Sequence, residues 1–217
     1  MTSTEIKDAL ALSASICTVL QFLAGVLVCR KYIRNGTTGD SSGLAFVTCF
    51  MSCSLWLRYG ILIRDSFIIC VNIFGTILQI CYVFIYILYN VKRSTTIKQF
   101  AVAICLVSLV YLYSTYQKDR ILAVKYVGFL SCSLTILFFA SPLISLAHVI
   151  RMKSTESLPF PIIMASMIVS CQWFAYGCLI SDQFIQIPNF IGCVLSAFQF
   201  SLFLIYPSKR ADQVYFI

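Results

Sequence analysis

Seven apolar runs, separated by short polar joints, divide this chain at about 9–30, 44–63, 66–89, 98–116, 126–150, 159–180 and 184–206. A helix rises 1.5 Å per residue, so about twenty residues suffice to cross a hydrocarbon layer of ~30 Å. Of the 217 residues, 60% are hydrophobic and 11% charged, whereas soluble domains carry about 25% charge. The reading is an all-α membrane protein with seven transmembrane helices. The joints at Arg64-Asp65 and Ser181-Asp182 are so short that spans two and three, and spans six and seven, must be antiparallel neighbours. The stretch TSTEIKD at the start has neither the positive region nor the small-residue cleavage site of a secretory leader, so the first span is expected to be retained. All eleven cysteines fall in or beside apolar runs, where they pack as small side chains and no disulfide framework is expected.

Charge orients the spans. The joints after spans one, three and five and the C-terminal tail hold Arg30, Lys31, Arg34, Lys92, Arg93, Lys98, Arg151, Lys153, Lys209 and Arg210, ten of the sixteen basic residues. The other side holds Lys7, Arg58, Arg64, Lys118, Arg120 and Lys125. Positive residues favour the cytosol, so the N-terminus is expected outside and the C-terminus inside. A net charge of +8 then calls for membrane lipids as partners and for no nucleic acid, because basic residues beside a span face anionic headgroups. The acceptor motif Asn35-Gly36-Thr37 would lie in the cytosol and stay unmodified.

The sequence repeats itself. WLRYGILIRDSFIICVNIFG at 56–75 and WFAYGCLISDQFIQIPNFIG at 173–192 share ten of twenty positions, 117 residues apart. Four spans separate the copies, so both run through the membrane in the same direction. The expected architecture is two parallel three-helix repeats joined by a linker helix (3+1+3). The first repeat takes residues 1–90, the linker 98–116, the second repeat 126–206, and 207–217 form a cytosolic tail. The flanks LAGVLVCRKY and LISLAHVIRM, in spans one and five, extend the likeness weakly.

The shared Trp and Asn point to chemistry. Trp56 lies eight residues before the Arg64-Asp65 turn and Asn72 seven after it, which sets both roughly 10–12 Å in from the same end of the hairpin. Trp173 and Asn189 repeat this. A carboxamide at that depth offers uncharged donors and acceptors, and an indole offers a flat apolar face with one N–H. Two of each suit a neutral polyhydroxylated solute, which describes a small neutral sugar. Carboxylates are missing where coupled carriers keep them: Glu5, Asp8, Asp40, Asp65, Asp119, Glu156, Asp182 and Asp212 all lie in tails, joints or span ends, and the lone His148 sits near a cytosolic end. Passive transport is expected, with no cofactor and no metal ion.

Taken together, W-x-x-Y-G at Trp56-Tyr59-Gly60 and Trp173-Tyr176-Gly177, the paired Asn72 and Asn189, Ser141-Pro142 and KSTESLPFP at 153–161 resemble the SWEET sugar transporters over nearly the whole chain. The resemblance implies a facilitative, bidirectional uniporter working by alternating access, with glucose the expected substrate. It implies a sugar site of Trp56, Asn72, Trp173 and Asn189, with Ser52, four residues before the first Trp, contributing and Val169 as its less polar counterpart. Members of the family tend to carry a proline in each of spans one, two, five and six, where it loosens the helix. This chain has Pro142 and Pro161 as gating hinges, but Gln21-Phe22-Leu23 and Leu44-Ala45-Phe46 in the first half, so spans five and six are expected to bend more. Pro188, before Asn189, faces Val71 in the first copy. The plasma membrane is the expected location, with the Golgi or another endomembrane as the alternative.

Rival readings have less to stand on. A seven-span receptor should show D-R-Y or N-P-x-x-Y and longer loops, and a retinal protein a lysine in the last span. An enzyme should show a buried cluster of His, Asp, Glu and a nucleophile, and Cys49-x-x-x-Cys53 suits helix packing better than metal binding. A related carrier for amino acids would need a cation for the carboxylate, and Arg58 is the one near Trp56. Gly25, Gly75, Gly128 and Gly192 allow close helix contacts, which suit either packing within the bundle or a homo-oligomer.

Overall fold

The computed structural model describes residues 3–206; the tail at 207–217, including Lys209, Arg210 and Asp212, lies outside the described residues. Eight helices follow in order: α1 (Ser3–Asn35), α2 (Leu44–Ile63), α3 (Ser66–Tyr89), α4 (Arg93–Tyr116), α5 (Arg120–Phe138), α6 (Ala140–Met152), α7 (Phe160–Leu179) and α8 (Gln183–Ile205). With α5 and α6 counted as one interrupted helix over 120–152, seven are long and apolar enough to cross a membrane. They are apolar on faces that meet no other helix: Leu27, Phe84, Phe129 and Leu204 are all exposed. Such faces are stable against lipid and not against water.

The elements fall into two compact units. One spans residues 15–131, and the other comprises, among the described residues, 3–14 and 132–206. In the first, α2 and α3 form a tight hairpin and α4 packs against both, around Val47, Phe50, Val83 and Ala103 with the rings of Phe46 and Phe100. In the second, α7 and α8 form the hairpin and α6 packs on α8, around Leu146, Val149, Leu158, Ile163, Leu195 and Leu202. The Gln172 side chain of α7 donates to the Ser13 hydroxyl at 2.7 Å, which ties the start of α1 to this unit.

The two hairpins are built from the same joints. Arg64 and Ser181 adopt left-handed backbone, at φ 61° and 56°, and reverse the chain. The next residue is Asp65 or Asp182. Each carboxylate accepts from two amides of the following helix: Phe67 and Ile68 at 3.0 and 3.1 Å, Phe184 and Ile185 at 2.9 and 3.3 Å. The Asp65 and Asp182 amides donate back to the Gly60 and Gly177 carbonyls, at 3.0 and 2.9 Å. The shared Asp is therefore a helix cap that fixes the hairpin, satisfying amides that have no partner inside their own helix.

The shared glycines allow the helices to approach. A methyl at Gly75 would lie 2.6 Å from the Phe22 ring and 2.8 Å from the Cys53 sulfur, and one at Gly192 would lie 2.6 Å from the Ser170 hydroxyl and 3.4 Å from the Phe139 ring. All three pairs, Phe22 with Phe139, Cys53 with Ser170 and Gly75 with Gly192, keep the spacing of 117, so the repeat extends to the outer helix of each set. Gly25 packs under the Tyr82 ring, where a methyl would come within 2.8 Å of the ring carbons. Three of the four glycines singled out by sequence are thus used inside a unit.

Asp65→Ala and Asp182→Ala should each cost about 1 kcal/mol of stability, the usual effect of losing an N-cap. Thermal unfolding of the detergent-solubilised protein checks this: both midpoints should fall, by similar amounts.

Candidate functional site

Each hairpin presents the same group of side chains. On α2, Trp56 meets Tyr59 edge-on, with ring centroids 5.5 Å apart and planes at 89°. On α7, Trp173 and Tyr176 repeat the contact at 5.7 Å and 82°. The tyrosines are buried and brace the indoles, so the second shared aromatic holds the first in one orientation.

The asparagines also behave alike. The Asn72 amide donates to the Ile68 carbonyl one turn back at 2.9 Å, and the Asn189 amide to the Ile185 carbonyl at 2.8 Å. Tying Nδ2 to the helix backbone fixes the carboxamide plane and leaves the oxygen unengaged by that bond. Neither oxygen accepts a hydrogen bond from any described residue, although both side chains are half-buried. A carboxamide oxygen held in place without a partner is prepared to receive one. The two Ile carbonyl hosts belong to residues whose amides the Asp caps hold, so cap, host and Asn form one connected turn in each copy.

Within each hairpin, then, the structure brings the expected pair onto adjoining helices at one level: Trp56 with Asn72, Trp173 with Asn189. Ser52 is half-buried one turn before Trp56, and Val169 stands at the matching place on α7.

The remaining predicted residues differ in setting. Span five is interrupted at Phe139, whose amide donates to the Ile136 carbonyl at 3.0 Å in a tight turn. Pro142 follows in the first turn of α6, where its missing N–H breaks no further rung. Pro161 lies in the first turn of α7, not in a helix interior. By contrast α1 runs unbroken from Ser3 to Asn35. The proline inside a helix is Pro188, buried in α8 just before Asn189, and it removes one backbone hydrogen bond beside the Asn.

Arg58 has other partners. Its Nε donates to the Ser114 hydroxyl at 2.6 Å and a terminal nitrogen to Thr115 at 3.0 Å, with the guanidinium 5.3 Å from the Tyr111 ring centre. The Tyr111 hydroxyl donates to the Ser54 carbonyl at 3.0 Å, and Arg120 donates to the Leu62 carbonyl at 3.1 Å. The Arg58 and Tyr111 contacts fasten α4 to α2, and the Arg120 contact fastens the start of α5 to α2. A cation so engaged is not held ready for a substrate carboxylate.

Fold and site together define a seven-helix membrane carrier made of two like-oriented three-helix repeats with a linker helix between them. A family model described as "Sugar efflux transporter for intercellular exchange" matches the chain twice, at residues 8–94 and 125–211. The chain is 48% identical to sugar transporter SWEET1 of Drosophila pseudoobscura pseudoobscura over 204 residues, 93% of this chain and 90% of that protein. It is 33% identical to sugar transporter SWEET1 of Xenopus tropicalis, over 90% of this chain and 92% of that one, and 30% identical to bidirectional sugar transporter SWEET2 of Arabidopsis thaliana, over 95% and 90%. The 3.7 Å structure of a eukaryotic SWEET transporter superposes with a TM-score of 0.85 at 29% identity, covering 91% of this chain and 95% of that one. The chain belongs to the SWEET family, a family of transporters and not of enzymes.

Arg58→Ala should lower stability by about 1–3 kcal/mol, the range for hydrogen bonds made by a charged group, and leave the half-saturation concentration of the transported solute unchanged. Parallel thermal unfolding and uptake measurements separate the two effects. Lost uptake with an unchanged unfolding temperature would make Arg58 a substrate contact instead.

Proposed function

We propose that this protein is a facilitative, bidirectional sugar uniporter working by alternating access, with glucose as its substrate. The observation that carries the reading is the doubled constellation, in each hairpin, of a braced indole and a carboxamide whose oxygen accepts no hydrogen bond from the described residues. The sugar would stack its C–H faces on Trp56 and Trp173 and share its hydroxyls with Asn72 and Asn189, with Ser52 adding a hydroxyl from the first repeat only. Uncharged hydrogen bonding at membrane depth suits a neutral polyol, because each group is satisfied by the ligand without a buried charge. The relatives named as sugar transporters support the same choice.

Passive uniport follows from where the acids lie. Asp65 and Asp182 are occupied as helix caps, and the other described acids lie near helix ends or in joints. A proton-coupled cycle would want an ionisable group at the depth of the Asn pair. The working halves are residues 1–90 and 126–206 about the linker 98–116, with Pro142 and Pro161 as the bends that let the second half move. The N-terminus faces the outside and the C-terminus the cytosol, and the plasma membrane is the location.

Tracer uptake of glucose and of sucrose in cells lacking their own sugar carriers tests this. Wild type should take up glucose, and Asn72→Ala and Asn189→Ala should each weaken it about 5- to 150-fold, the equivalent of about 1–3 kcal/mol of hydrogen bonding. Collapsing the proton gradient should change nothing, and uptake that needs the gradient would sink the uniport mechanism. Treatment with peptide N-glycosidase should leave the electrophoretic mobility unaltered, since Asn35 faces the cytosol; a shift abolished by Asn35→Gln would reverse the orientation.

A further inference from the structure

The two repeats pack differently below the Asn level. In the first, the Tyr82 ring lies over Gly25 and its hydroxyl donates to the Phe22 carbonyl at 2.9 Å, filling the space between α1, α2 and α3. The residues 117 positions later are Gln199 for Tyr82 and Pro142 for Gly25. A carboxamide does not fill the volume of a phenol. In the second repeat a cavity of about 280 Å³ remains between α6, α7 and α8.

Its walls are polar where the helices face one another. Ser166 and Ser170 line it from α7 and Ser196 and Gln199 from α8, with Phe139 and Pro142 closing the side at the span-five interruption. The first-repeat counterparts of the two α7 serines are Cys49 and Cys53, so the hydroxyls belong to the second copy alone. Ser196 is 4% and Gln199 8% exposed, and neither forms a hydrogen bond with any described residue. Both line the cavity, so a partner within it can reach them.

The cavity lies in line with the proposed site. Gly192, on its wall, is one turn beyond Asn189 along α8, and Ser170 is one turn before Trp173 along α7. At a share of about 30 Å³ per water the space equals some nine waters, room for a hexose. It carries no charge, and its donors and acceptors are hydroxyls and one carboxamide, the same uncharged chemistry as the Asn level.

We propose that this cavity is a second sugar subsite, present in the second repeat only, where a neutral sugar is held by Ser170, Ser196 and Gln199 one turn from Asn189 on the side of the α6–α7 joint. The inference rests on the sugar reading above. It makes the second repeat different from the first: a sugar at its Asn level has a further subsite one turn away towards that joint, where the first repeat holds the Tyr82 ring.

The test uses the full-length protein in liposomes with one added thiol, Ser196→Cys, and Ser170→Cys as the second choice should the first fail to fold. Modification of that cysteine by methyl methanethiosulfonate, followed by peptide mass spectrometry, is timed with and without glucose. Glucose should slow it, and should still slow it when Asn189→Ala is added. Ser170→Ala and Ser196→Ala should each raise the half-saturation concentration of glucose about fivefold, the loss of one neutral hydrogen bond. Intact glucose transport with no protection at either cysteine would overturn the subsite and leave the sugar reading standing. Protection that vanishes with Asn189→Ala would also overturn it, since the central site alone would then account for the effect. No transport of glucose or sucrose by wild type would remove both readings together.

Discussion

At membrane depth no water is available, so every polar group has to be satisfied by the chain or by what the chain carries. Much of this structure follows from that constraint. Asp65 and Asp182 take up the first amides of α3 and α8, Tyr111 takes a carbonyl of α2, Tyr82 one of α1, and Arg58 is shared among two hydroxyls and a ring. Once these are accounted for, the polar groups left over stand out. They include the oxygens of Asn72 and Asn189 and the side chains of Ser196 and Gln199, and also the buried Ser15, Ser54 and Thr76 hydroxyls and the Gln79 and Gln172 side-chain carbonyl oxygens, which have no partner among the described residues.

The fold was legible because its signals are local. An apolar run of the right length is a span whatever its neighbours do, and the expected limits of spans two and three coincide with α2 and α3. The apolar run of the linker starts at residue 98, but α4 begins at Arg93, since basic side chains at a span end stay helical while their charged heads reach the interface. For the same reason α1 extends past residue 30 through Lys31 and Arg34 to Asn35.

The hairpin chemistry was legible only in part. The repeat singled out Trp, Asp and Asn together, and the Asp proved to be a cap. A capping reading was available from the sequence, because an Asp directly before an apolar run is a helix start signal. That Tyr59 and Tyr176 brace the indoles, and that the Asn amides are tied to the Ile carbonyls one turn back, could not be told from spacing alone, since both depend on rotamers. The interruption of span five fell beside the expected Pro142, while Pro161 lay at a helix start: in each case the proline was legible and its consequence was not.

The cavity in the second repeat was illegible for a different reason. It arises from Tyr82 against Gly25 in one copy and Gln199 against Pro142 in the other, pairs that lie on different helices and are far apart in sequence. Each substitution alone looks like ordinary drift between repeats. Together they remove a ring and leave polar walls, and the glycine becomes unnecessary, since its bare Cα in the first copy is needed only to seat the ring. Two copies under the same selection for packing would both be expected to fill the space, because a void in a close-packed interior forfeits contacts on every side. One copy filled and the other open, with hydroxyls where its twin has thiols, is the pattern of a repeat whose halves have taken different tasks along one transport path.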